Sequence, residues 1–415
     1  MNRNIYRLTS GLLGALASTA VLASGFQLQE QSASGLGVAY SGMAAAVQDG
    51  STVFWNPAGM SQLGGSGLSV AAEYIIPSFK FTDAGSAYSA FGSGGDAGVS
   101  SLVPAFYGYT TMTSQLTLGL AVNAPFGLST DWDSQWAGMF YGIKSKVETL
   151  NINPALSWNV NQFLSLGGGV SYQRLRATLT QGVTPLNPTV QGRIDGDSWR
   201  WGWNLGALMD FGQGTTIGAT YRSAISYTIT GNLGFNNAAL AGQASGIKAG
   251  LRLPQTFSFG LSQKLTPQLR LLADYTKTDW DTIDSLTVTA TSGPAAGFPV
   301  SVTPLNFKNS WRVGAGLEYR VNPQWLLRGG AAYDRAPVQD AYRNPRLPDN
   351  DRTWLAVGAR FEPSAGWTID AGYAYLWVKN GPSELATAGP PFPDSLTGTY
   401  RANVSVLGLQ ASLKF

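Results

Sequence analysis

The chain has 415 residues, 51 of them glycine, with no cysteine and no histidine. This composition excludes a disulfide framework, any Cys/His zinc, haem or iron–sulfur site, and any histidine-based triad or dyad. Charged residues make up 12%, about half of the ~25% usual in a soluble domain, and the net charge of +3 gives no basic footprint for nucleic acid. No catalytic residue, metal site or cofactor site is expected, and an enzyme is not the reading.

Residues 1–23 read as an export signal. Arg3 and Arg7 form the basic start, 12–22 is an apolar run, and Ala23 offers a small residue for cleavage. The run is shorter than the ~20 residues a helix needs to cross a bilayer. No cysteine follows, so no lipoprotein anchor is expected. Residues 24–65 lack two-residue periodicity, and 32–47 is rich in Ala, Gly and Ser. This segment is either a periplasmic tail or a plug (hatch) inside a barrel. The plug is favoured because a large barrel has more lumen than its own side chains fill.

From residue 66 to 415 the recurring pattern is alternation. Trp311, Val313, Ala315, Leu317 and Tyr319 alternate with Arg312, Gly314, Gly316 and Glu318, and the stretches 367–377 and 407–415 behave alike. Period two means strands with one apolar face and one polar or small face. A soluble sandwich would carry Lys and Glu on its wet face. Here that face is mainly Gly, Ser and Thr, and Trp and Tyr cluster near strand ends, as in the aromatic girdles of outer-membrane barrels.

Short connections near 111–114, 159–162, 212–214, 266–268, 322–324 and 362–366 alternate with long ones near 82–96, 130–141, 182–198, 231–250, 289–300, 337–351 and 380–397. They predict an all-β membrane protein, a 14-stranded antiparallel transmembrane β-barrel with short periplasmic turns and long extracellular loops. It would sit in the bacterial outer membrane as a monomer in contact with outer-membrane lipid. Its last strand, ending at Phe415, would engage the outer-membrane assembly machinery. In the third strand, near 116–130, alternation stops at Asn123, Ala124, Pro125, Phe126 and Gly127. Pro125 lacks an N–H and Gly127 tolerates unusual backbone angles, so a break or bulge is expected there.

The run Gly25-Phe26-Gln27-Leu28-Gln29-Glu30, then Ser34-Gly35-Leu36-Gly37, Ala39-Tyr40-Ser41-Gly42 and Asn56-Pro57-Ala58, resembles the N-terminus of the FadL-type long-chain fatty acid and hydrocarbon transporters. Phe126-Gly127-Leu128, Trp201-Gly202-Trp203-Asn204, Leu253-Pro254 and Pro348-Asp349-Asn350-Asp351-Arg352 extend the likeness over nearly the whole chain. The resemblance implies a barrel closed by an N-terminal hatch and passive uptake of hydrophobic small molecules. Ligand is caught by extracellular loops, passed to an apolar lumen pocket, released by movement of the N-terminus, and lost sideways through a kink in the third strand. Long-chain fatty acids are the first substrate class, aromatic or aliphatic hydrocarbons the alternative. A water-filled diffusion porin is a third reading, which the segment 24–65 argues against.

Candidate residues follow. Phe26 and Leu28 are apolar contacts of a moving N-terminus, or else pins for the plug. Asn56, Pro57 and Ala58 are hatch residues that the resemblance sets against the kink at Asn123, Pro125, Phe126 and Gly127. Lys308 shares the parity of Arg312 and resembles a ligand-contacting lysine. Its alternative role is a lumen ion pair with Glu30 or Asp49. Arg176 lies near a family basic site, although strict alternation points it outward and the family arginine falls on Leu179. Arg222, Asp274, Arg312, Glu318, Arg320, Arg328, Arg360 and Asp370 share the lumen parity and are expected to pair and fasten the plug.

Overall fold

A computed structural model describes residues 25–387 and 394–415. The signal at 1–23 and the tip of the last long connection lie outside these residues. Twenty strand segments line up as fourteen staves in one antiparallel sheet that closes on itself. They are β1 (Ser66–Asp83), β2 (Ser101–Thr111), β3 (Leu116–Asn123, resuming as Gly127–Asp131), β4 (Lys144–Asn159) and β5 (Leu164–Gly182). Next come β6 (Gln191–Asp210), β7 (Thr215–Arg222 and Ile225–Phe235), β8 (Ser245–Leu253 and Thr256–Lys264) and β9 (Leu269–Thr278 and Ser285–Ala290). The ring is completed by β10 (Pro299–Pro304 and Ser310–Arg320), β11 (Trp325–Arg335), β12 (Arg352–Ser364), β13 (Trp367–Val378 and Gly381–Thr387) and β14 (Asp394–Lys414). β14 pairs with β1 from Gly67↔Lys414 to Asp83↔Gly398 and closes it. Closure leaves no edge, so backbone groups that lipid could not satisfy are bonded to a neighbouring stave.

The period-two faces sort as alternation requires. Along β1, Leu68, Val70, Tyr74 and Ile76 are exposed while Ser69, Ala71, Glu73 and Ile75 are buried. Outward aromatics form two belts. Phe163–Phe211 and Trp325–Phe361 flank the short turns, and Trp311–Tyr333 and Tyr375–Trp377 lie toward the long connections. Trp325 and Tyr333 on β11 are ~27 Å apart along the strand, roughly 20 Å along the normal at a ~40° tilt. That spacing matches the apolar belt of an outer-membrane barrel.

Three long connections are shorter than the sequence suggests. β6 begins at Gln191, β7 runs to Phe235, β8 begins at Ser245, and β13 and β14 reach Thr387 and Asp394. These hairpin ends are rich in Gly, Asn, Asp and Ser, and several of their few apolar residues, Ile194, Leu233, Ile247 and Ala249, gather in a small cluster that supports the extended pairing.

Residues 25–65 lie within the ring and are almost wholly buried as far as Met60. They carry short helical turns at Ala33–Leu36, Thr52–Trp55 and Pro57–Gln62. Ser32 caps the first through Gly35 N (3.2 Å) and Asn56 caps the third through Ala58 N (3.1 Å). Lumen-face glycines make room for them. A Cβ at Gly218 on β7 would collide with the Ala44 carbonyl, one at Gly330 on β11 with Val38, and one at Gly167 on β5 with Ala58. No described helix is long and apolar enough to cross a membrane.

Candidate functional site

Two regions hold the N-terminal segment. The first is the break in β3. The β2–β3 ladder ends at Phe106↔Val122, and residues 124–126 leave the strand before Gly127 resumes it. One edge of the break is satisfied by β4: Phe126 N donates to Thr149 Oγ1 (3.0 Å), and that hydroxyl donates to Phe126 O (2.6 Å). The other edge, left open by β2, is taken by the N-terminus. Gly127 N donates to Phe26 O and Leu28 N to Pro125 O, both at 2.8 Å, so Gln27 pairs with Phe126 as in a short antiparallel ladder. Gln31 completes the seal. Its Nε2 donates to Ala124 O (2.9 Å) and its Oε1 accepts from Asn123 Nδ2 (2.8 Å).

Above this seam lies an apolar cluster. The Phe26 ring meets Trp280 at 4.8 Å and Phe126 at 6.0 Å, and Trp280 meets Phe307 at 5.9 Å. Leu175, Ile225, Ile229, Leu253 and the loop residues Trp132 and Trp136 belong to the same cluster. Leu28 is buried in a neighbouring cluster with Leu36 and Ala124. Gly25 is tied to an extracellular loop, its N–H donating to Asp349 Oδ2 (2.8 Å). Its φ of +69° and its contact with the Trp280 ring both call for glycine.

The second region is a set of buried ion pairs against residues 38–49. Arg312 on β10 pairs with Asp274 and Asp334 (3.0 Å each) and donates to the Ala39 carbonyl. Arg328 on β11 reaches Glu318 (2.9 Å), Asp370 and Gln48 Oε1 (2.7 Å). Arg360 on β12 reaches Asp370 (2.8 Å) and Asp49 (3.2 Å). Arg222 on β7 donates to Phe54 O (2.9 Å) and lies over the Phe54 ring. Of the expected lumen charges, only Arg320 stands apart, in a half-exposed pair with Glu362 near the short turns.

Between the two regions sits Glu30. It is fully buried, and its carboxyl has no side-chain hydrogen-bond partner. Burial pushes the carboxyl up to about 7, while the backbone N–H groups of Glu30 and Gln29 and the charge of Arg352 pull it down and Asp334 pushes it further up. Tyr40 and Glu73 are its other ionisable neighbours, joined by a bond from the Tyr40 hydroxyl to Glu73 Oε2 (2.5 Å).

Three placements correct the sequence reading. Lys308 falls between the two segments of β10, where the chain is not a strand, so the parity of Arg312 does not extend to it. Lys308 is exposed and its neighbour Phe307 turns into the cluster instead. Arg176 is also exposed, opposite Glu148 and Asp197 in the register, while Leu175 packs inward. Asn56, Pro57 and Ala58 do not touch the β3 break. Asn56 Nδ2 donates to Ala44 O (2.6 Å) and Ala207 O (3.0 Å), and Ser157 Oγ donates to Ala58 O (2.9 Å). Ser157 is level with Thr117, well below the break on β3. Trp280, Gln31, Thr149 and Asp349 were invisible as site residues, because nothing local marks a side chain whose partner lies across a lumen.

A closed antiparallel barrel with aromatic belts outside and a chain segment inside defines an outer-membrane barrel of the transporter type. The chain belongs to the outer membrane protein transport protein (OMPP1/FadL/TodX) family, whose model matches residues 14–415. It is 31% identical to the 47 kDa outer membrane protein of Pasteurella multocida, over 97% of this chain and 96% of that one. It is 27% identical to the long-chain fatty acid transport protein of Escherichia coli K12, over 90% and 94%. A crystal structure of a Pseudomonas aeruginosa FadL homologue superposes with a TM-score of 0.87 at 25% identity, covering 94% of this chain and all of that one. The Pseudomonas putida toluene transporter TodX shares the fold, with a TM-score of 0.67 at 15% identity over 88% and 94%. The protein is therefore an outer-membrane transporter of hydrophobic compounds.

Proposed function

We propose that the protein takes up long-chain fatty acids by passive lateral transfer. Extracellular loops capture the ligand and the cluster around Phe26 and Trp280 receives its tail. Withdrawal of residues 25–31 from the β3 break then lets it leave sideways into the membrane. Phe26 and Leu28 are the moving contacts, and Asn123, Pro125, Phe126 and Gly127 frame the exit. Asn56, Pro57 and Ala58 hold the rest of the hatch (residues 24–65) against β4–β6. The working form is a monomer, exported with removal of 1–23 and inserted through its C-terminal strand.

One observation carries the route: the edge of β3 left open by β2 is closed by the N-terminus and not by another stave. A buried methylene gains ~0.8 kcal/mol, so capture of a long tail is easy and release is the hard step. A closing element held by two ladder bonds and ring contacts can be exchanged for ligand, whereas a stave cannot. The relatives' printed substrates, fatty acid for one and toluene for another, keep uncharged hydrocarbons as the second reading. The outward placement of Lys308 and Arg176 favours that second reading, since neither offers a cation to a carboxylate.

The absence of cysteine makes the test clean. Gln27 and Phe126 face each other as a non-hydrogen-bonded pair, whose close Cα spacing suits a cross-strand disulfide. Gln27→Cys with Phe126→Cys should lose uptake of radiolabelled palmitate when oxidised and regain it on reduction. Full uptake by the locked form would exclude exit through the break.

A further inference from the structure

The extracellular loops enclose a cavity of about 690 Å³. Its apolar wall includes Tyr88 and Phe140, whose rings meet at 5.0 Å, together with Tyr141, Val183 and Leu385. Gln181 and Asn344 supply polar lining on one side. Directly behind them lies Arg346, from the connection between β11 and β12. Its guanidinium is buried and meets only neutral acceptors. Nη2 donates to Gln181 Oε1 (2.6 Å), and Nη1 to Ser145 Oγ (3.2 Å), with the Lys144 and Thr180 carbonyls at 3.5 Å. The Arg346 N–H donates to Asn344 Oδ1 (3.0 Å). Among the described residues, no carboxylate lies within ion-pair distance of it. The nearby Asp131 is taken by Lys144 at 2.6 Å. Burial lowers the guanidinium to about 10, so it remains charged at neutral pH.

Most of the other lumen arginines differ, and the one that also lacks a carboxylate, Arg222, is held by a carbonyl and a ring face. Arg312, Arg328 and Arg360 are each matched by carboxylates. A buried guanidinium without an anion retains an unmet charge interaction, and the planar fork suits a carboxylate. We propose that Arg346 is the head-group residue of this cavity: the carboxylate of an amphiphilic acid displaces Gln181 and pairs with Arg346 while its tail lies on the aromatic wall. The two acids lining the cavity, Glu384 and Asp394, both come from the β13–β14 hairpin. The proposal rests on the uptake reading above and names its substrate class: a long-tailed organic acid, given the charge partner that the exposed Lys308 and Arg176 do not supply.

The test compares palmitate with methyl palmitate, both radiolabelled, binding to the full barrel in lipid nanodiscs, with empty discs subtracted. Arg346→Gln should weaken palmitate about tenfold or more, as expected for loss of a charge-assisted pair, and methyl palmitate by less than about twofold. Arg346→Lys should restore part of the loss. Gln181→Ala should tighten palmitate binding by removing the internal competitor, and this variant leaves the guanidinium in place if Arg346→Gln fails to fold. Equal weakening of acid and ester, or no weakening of either, would overturn the proposal, as would unchanged or weaker palmitate binding in Gln181→Ala. Wild-type protein that binds the ester but not the acid would overturn it and leave standing only the uncharged-hydrocarbon form of the uptake reading. Binding of neither would remove the uptake reading itself.

Discussion

The N-terminal segment is held in two different ways along its length. Residues 25–31 meet the wall through two ladder bonds, side-chain amides and the edges of aromatic rings. Residues 38–49 meet it through Arg312, Arg328 and Arg360 and the carboxylates that bind them. Ring contacts and amide bonds are each replaceable by a hydrophobic ligand or by water. The Arg360–Asp49 ion pair is not, because removing one partner strands the other in a poor solvent, and Arg312 and Arg328, fixed by wall carboxylates, hold the Ala39 carbonyl and Gln48 from set positions. The contrast divides the segment into an exchangeable arm and a fixed body, with Glu30 near the join.

The largest effect should come from breaking the fixed body. Asp370→Ala leaves Arg328 and Arg360 sharing too few anions, at a cost of about 3–5 kcal/mol. The body should unseat, seen as a lower heat-modifiable gel transition and a raised ion conductance in planar bilayers. Unchanged conductance would mean that the ion pairs do not hold the lumen closed. Next is Phe26→Ala, which removes the ring anchor of the arm and should cost about 2–3 kcal/mol. Amide protection at 26–31 and 125–127 should fall by roughly one to two orders of magnitude, while residues 38–49 keep theirs. Equal loss in both would erase the division.

The smallest effect belongs to Glu30. An acid held above its ordinary value when buried favours the seated state below 4.5, and that contribution is lost as pH rises through about 7. Protection of the arm, corrected for intrinsic exchange, should therefore decline between pH 5 and pH 8, and Glu30→Gln should flatten the profile. A wild-type profile that is already flat would place the ionisation elsewhere.

Much of this molecule is legible in its residues. The six short turns fall where the sequence sets them, and β1 begins at Ser66. The break in β3 spans 124–126, as Pro125 and Gly127 imply. Each of these depends on a local matter: which face meets lipid, whether an N–H exists, how tight a turn must be. The misplaced residues share the opposite property. Lys308 shares the parity of Arg312 only by a count across a stretch where the strand lapses. Likeness sets Arg176 at a basic site against its own parity, and the parity is the better guide. The hairpins above the membrane extend further than their patterning suggests, because backbone pairing and a few apolar contacts, such as Ile247 with Val288, suffice there.

Alternation, turn spacing and scarcity of charge therefore suffice for a fourteen-stave barrel, since each reports a residue's own contact with lipid or water. What they leave open is which side chains meet inside. The Phe26–Trp280 contact, the closing of β3 by the N-terminus, and an unmatched Arg346 behind Gln181 all join positions far apart in the chain. Their distances are set by ring closure, stagger and the path of the inner segment, and no single stretch of sequence contains those quantities.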